Sequence, residues 1–109
     1  MAKRSPDTMK ALIFIPLLVF TVGHLDAAVA ADAVTGAKLA RQWCANCHVI
    51  DRSGTPTVQQ GPPSFRSIGL TGDQLRTFLT HPHGAMPDLA LTRTEIEDVI
   101  AYIETLRSH

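Results

Sequence analysis

The residues best suited to chemistry are Cys44-Ala45-Asn46-Cys47-His48. Two thiols three positions apart, with an imidazole directly after the second, form the C-x-x-C-H pattern of covalent haem attachment. Each thiol can form a thioether to one vinyl group on the same porphyrin edge. His48 then lies where it can reach the iron as proximal ligand. Cofactors held this way mostly carry one electron. Other chemistry is open to a cysteine pair. A redox dithiol wants a preceding strand and a βαβ frame, and neither is legible. A four-ligand zinc site wants a second ligand pair, but the chain has two cysteines in all. A disulfide across two residues closes a tight, strained loop.

The sixth iron position decides what such a site does. Candidates downstream of the pentapeptide are Met86, His81, His83 and His109. Met86 lies in Gly84-Ala85-Met86-Pro87, an irregular stretch, and Pro87 holds it extended. A lone Met is otherwise core filler. His81 and His83 flank Pro82 and read as exposed loop histidines, with bis-His ligation as their functional alternative. A thioether raises the reduction potential and closes the iron to substrates. An open site would suit a sensor or a peroxidase-like enzyme.

Residues 1–30 read as an export signal. Lys3, Arg4 and Lys10 precede the apolar run Ala11–Val22, and Ala28-Val29-Ala30 offers a small-residue cleavage site. The run is too short for the roughly 20 residues a membrane span needs, so a membrane role requires an uncleaved signal. Residues 31–109 then form one domain, too small to build a large unaided core. It carries seven basic and eight acidic side chains with no basic stripe, which excludes a nucleic-acid footprint.

Three helices must position the motif. The first is expected over Thr35–Cys44, with Thr35 as cap and Ala37, Leu39, Ala40 and Trp43 apolar. The second runs over Thr71–Thr80. Thr71 and Gln74 form a capping box, Leu75, Phe78 and Leu79 form the stripe, and Pro82 ends it. The third begins at the capping box of Thr92 and Glu95. It buries Ile96, Val99, Ile100, Ile103 and Leu106 at steps of three and four. Residues 49–70 are rich in Gly and Pro and read as a loop able to wrap a cofactor.

These residues resemble a small bacterial class I cytochrome c. The likeness rests on the pentapeptide, on Gly61-Pro62, on Met86-Pro87, and on Gly36 eight residues before Cys44. It implies an all-α fold of three main helices around one covalent haem c. It implies that Cys44 and Cys47 attach the haem and that His48 and Met86 ligate its iron. The Pro62 carbonyl is the implied acceptor for the free nitrogen of His48. Gly36 is the implied crossing point of the N- and C-terminal helices, packed by Val99 and Tyr102. Two features depart from the family pattern. Ala40 stands where many members carry an aromatic, with Trp43 nearby to compensate. Pro62-Pro63-Ser64-Phe65 replaces the more usual Gly-Pro-x-Leu, with Phe65 as the apolar wall.

The implied function is periplasmic one-electron transfer, not catalysis, with transient docking to redox partner proteins. The alternative is a dedicated haem c subunit of a periplasmic dehydrogenase. An open-site sensor or peroxidase is a more distant one, against which Met86 argues.

Overall fold

The computed structural model describes residues 30–57 and 60–107. Helix α1 spans Ala33–Leu39, α2 spans Gly72–Thr80 and α3 spans Arg93–Arg107. A 3-10 turn at Phe65–Ser67 interrupts the long connection between α1 and α2. No strand occurs among the described residues, so the all-α expectation holds.

Helix α1 starts earlier than expected. Asp32, not Thr35, is the N-cap. Its carboxylate accepts from the Val34 N–H at 2.8 Å and from the Thr35 hydroxyl at 2.7 Å. Its own N–H donates to the Asp98 carboxylate of α3 at 2.7 Å. Asp98 is buried, so this contact ties the start of α1 to the middle of α3.

The α-helical ladder of α1 ends at Leu39. Ala40–Cys44 form a wider π-turn, closed by the Ala45 N–H to Ala40 O at 3.0 Å. Such a turn takes in an extra residue and is common at functional sites. It delivers Cys44 to the interior, and the His48 N–H returns to Cys44 O at 2.9 Å.

α1 crosses α3 at Gly36. A Cβ there would lie 1.9 Å from the Asp98 carbonyl oxygen and 3.0 Å from the Tyr102 Cβ. Only a glycine permits this approach. Ala40 is fully buried beside the crossing and Val99 nearly so. Trp43 does not compensate for the small Ala40, because it is 46 % exposed. The crossing is tight because the backbones themselves meet.

The capping boxes of α2 and α3 form as expected. Gln74 N–H reaches Thr71 Oγ1 at 3.2 Å, and Thr71 N–H reaches Gln74 Oε1 at 2.9 Å. In α3, Thr92 and Glu95 bond reciprocally in the same way. His81, the C-cap residue before Pro82, leaves the helical conformation and ends α2. Ile96, Val99, Ile100, Ile103 and Leu106 are buried together with Leu75 and Phe65. Arg76 of α2 forms ion pairs with Asp73 and with Glu97 of α3. Arg107 donates to the Ile68 carbonyl at 2.9 Å and to that of Leu70, fastening the loop before α2 to the end of α3.

Candidate haem-binding site

The pentapeptide leaves the π-turn as a tight bend. Cys44 is buried and Cys47 exposed, and both thiols are free. Burial pushes the Cys44 thiol pKa upward, because the charged thiolate is poorly solvated there.

His48 Nδ1 lies 2.7 Å from the Pro63 carbonyl oxygen. A carbonyl can only accept, so Nδ1 carries the hydrogen and donates. The Nε2 lone pair is then left available as a ligand. The Phe65 ring stands beside the imidazole, with centroids 5.7 Å apart and planes tilted by 54°.

The acceptor is therefore Pro63 and not Pro62, a correction to the sequence reading. The register is set from Phe65, whose N–H donates to Val49 O at 2.9 Å. Val49 directly follows His48, so this bond places Pro63, two residues before Phe65, opposite the imidazole. Counted from Phe65, Pro63-Ser64-Phe65 keeps the Pro-x-Leu spacing. Pro62 is exposed. It lines a small hollow of about 190 Å³ with Val49, Gly54 and Ser64.

Met86 sits half-buried in the turn between α2 and α3. Gly84 starts that turn with φ +73°, a conformation suited to glycine. His81 and His83 are exposed. They line a cavity of about 580 Å³ with Leu70, Gln74, Thr77 and Phe78, which neither His48 nor Met86 lines. The His83 ring meets Phe78 edge-on at 4.8 Å. His109 lies outside the described residues.

Two contributors were not legible in the motif. The Tyr102 hydroxyl of α3 donates to Ile50 O at 2.8 Å. Arg66 donates to the carbonyls of Arg52 and Gly54 at 3.1 and 3.2 Å, bracing the loop after the motif. A hint existed for Tyr102 alone, as a polar-tipped aromatic beside the apolar stripe of α3.

The donor set fits a covalent haem c. It comprises two free thiols at C-x-x-C spacing, an imidazole fixed with Nε2 available, and a half-buried thioether in the turn between α2 and α3. Among the described residues no group of three or more His, Cys, Asp or Glu side chains is placed to hold a metal ion.

Residues 31–103 match the family model described as cytochrome c oxidase, cbb3-type, subunit III. The chain is 40 % identical over 95 residues to cytochrome c-552 of Bradyrhizobium diazoefficiens, covering 84 % of this chain and 90 % of that protein. It is 29 % identical over 101 residues to cytochrome c6 of Nostoc sp., covering 85 % and 87 % respectively. No solved structure matches the chain. With its single C-x-x-C-H motif, the chain belongs to this cytochrome c family as a small monohaem class I c-type cytochrome, an electron carrier with covalent haem c rather than an enzyme.

Proposed function

We propose that this cytochrome is exported to the periplasm and carries single electrons on a haem attached through Cys44 and Cys47 and ligated by His48 and Met86. The observation that carries the proposal is the 2.7 Å bond from His48 Nδ1–H to Pro63 O. It orients the imidazole and makes it a better donor. When bound, the haem supplies a Fe(II)/Fe(III) couple. The protein contributes the two thiols, the fixed imidazole, the Phe65 wall and the Met86 thioether. Met86 favours the ferrous state and keeps substrates from the iron.

Export is supported by the composition of residues 1–30, of which 1–29 lie outside the described residues. Cleavage after Ala30 would leave Asp32, and with it the cap of α1, intact. No helix among the described residues is long and apolar enough to cross a membrane. Transient docking to redox partner proteins follows from the carrier role. The matching family model is described as an oxidase subunit, which supports a second reading, a dedicated haem c subunit of a larger redox complex. Co-purification with a larger chain distinguishes that reading from a free carrier.

The deciding experiment is an absorption spectrum of protein exported with the haem-attachment machinery, oxidised and reduced. A low-spin c-type spectrum with the weak far-red methionine-to-ferric band is expected. A low-spin spectrum without that band would reassign the sixth ligand to His81 or His83. A high-spin spectrum would sink the carrier ligation altogether. N-terminal sequencing of the same sample should begin at Ala31.

A further inference from the structure

Three bonds converge on residues 48–50. The His48 imidazole donates to Pro63 O at 2.7 Å. Val49 O accepts from the Phe65 N–H at 2.9 Å. Ile50 O accepts from the Tyr102 hydroxyl at 2.8 Å, across 52 positions of sequence. A ring sequence runs parallel to them. His48 meets Phe65 at 5.7 Å, and Phe65 meets Tyr102 edge-on at 6.3 Å. Phe65 and Ile50 are both buried. Tyr102 therefore touches both supports of the imidazole: the segment that follows it and the ring that walls it.

We propose that Tyr102 is a positioning residue for His48 and thereby tunes the reduction potential. The proposal rests on His48 being the proximal ligand, as argued above. Residues 48–50 form a short segment pinned at three points. Its far end is held by the phenol, its middle by Phe65, and its near end carries the imidazole. When the phenol bond slackens, Ile50 O is left buried without its partner. It then shifts toward water and loosens the His48–Pro63 bond. A weaker Nδ1–H bond makes the imidazole a poorer electron donor, which disfavours the ferric state. The potential then rises, and a stronger phenol bond lowers it.

The chain contains one tyrosine, so the donor can be changed in both directions. Tyr102→Phe keeps the ring and deletes the bond. Biosynthetic replacement of tyrosine by 3-fluorotyrosine changes Tyr102 alone and makes its hydroxyl a stronger donor. Both proteins are compared with the unmodified holoprotein, below the titration range of the phenol. The readouts are spectroelectrochemical potential and the proton resonance of His48 Nδ1–H in the ferrous state.

The expected result is a potential shifted up in Tyr102→Phe and down in the fluorotyrosine protein, with the Nδ1–H resonance moving oppositely in the two. Should Tyr102→Phe fail to mature, the fluorotyrosine protein carries the test alone. Unmoved potentials with an unmoved resonance, or a shift of the same sign in both, would overturn the proposal and leave Tyr102 as packing. Failure of the ligand assignment looks different. It would show as a His48→Ala protein that keeps the native low-spin spectrum, whatever Tyr102 does.

Discussion

At the residue scale, the two proposed iron ligands are expected to differ, Met86 being a position that can be lost and His48 one that cannot. Met86→Ala should leave the haem attached, because the thioethers and His48 are untouched. The potential should fall by on the order of 0.1 V, within the roughly 0.8 V range that axial ligands command. Spectroelectrochemistry checks this, and an unchanged potential would remove Met86 from the iron. His48→Ala should abolish normal haem incorporation, read as loss of the c-type spectrum in the exported fraction. The pentapeptide was legible as a motif because two thiols and an imidazole meant for one haem must lie close together in the sequence. The acceptor for His48 was not. Pro62 and Pro63 adjoin, and Gly61-Pro62 invited counting from the wrong side. Only the backbone bond between Phe65 and Val49, a tertiary fact, decides the register.

At the scale of elements, α2 and α3 were readable from their capping boxes and apolar stripes. Both signals are local and agree with the tertiary packing. Helix α1 was harder to read. Thr35 and Asp32 are both good caps, and the choice is made by Asp98, more than sixty residues away, which binds the Asp32 N–H. The π-turn over Ala40–Cys44 has no compositional mark at all. The glycine of the crossing was legible by position, and its consequence is testable. In Gly36→Ala the new methyl would overlap the Asp98 carbonyl, a backbone atom that cannot swing aside. The cost should be about 3 kcal/mol, at the upper end for overpacking. Thermal unfolding of the holoprotein should move down by roughly 10–20 °C. A shift of only a few degrees would mean that the two helices separate more easily than their geometry implies.

At the scale of the molecule, α3 ties together both other helices and the loop between them. It meets α1 at Gly36, α2 through Glu97 and Arg76, the loop before α2 through Arg107, and the segment after the haem motif through Tyr102. The Arg76 hydrogen bond holds the Glu97 carboxyl below the usual range. Folding thus favours the deprotonated form. Its contribution is complete above the unfolded pKa of about 4.3 and is lost as pH falls below it toward the lower folded value. Glu97→Gln should therefore lower stability at neutral pH and flatten the decline on acidification, in denaturant titrations of the holoprotein between about pH 6 and pH 3. Parallel acid limbs in the two proteins would show that the pair contributes nothing.

One side chain stands apart from this packing. Trp43 is the only indole in the chain. It is half open to solvent and immediately precedes the buried Cys44. Neighbouring Cα atoms are about 3.8 Å apart, so a porphyrin held by Cys44 lies well within the reach of resonance energy transfer. Indole emission also overlaps the intense blue absorption of haem. The unloaded polypeptide should fluoresce and the loaded one should be dark. This half-exposed indole thus serves as a built-in optical gauge, and maturation can be timed by the dimming of a single fluorophore.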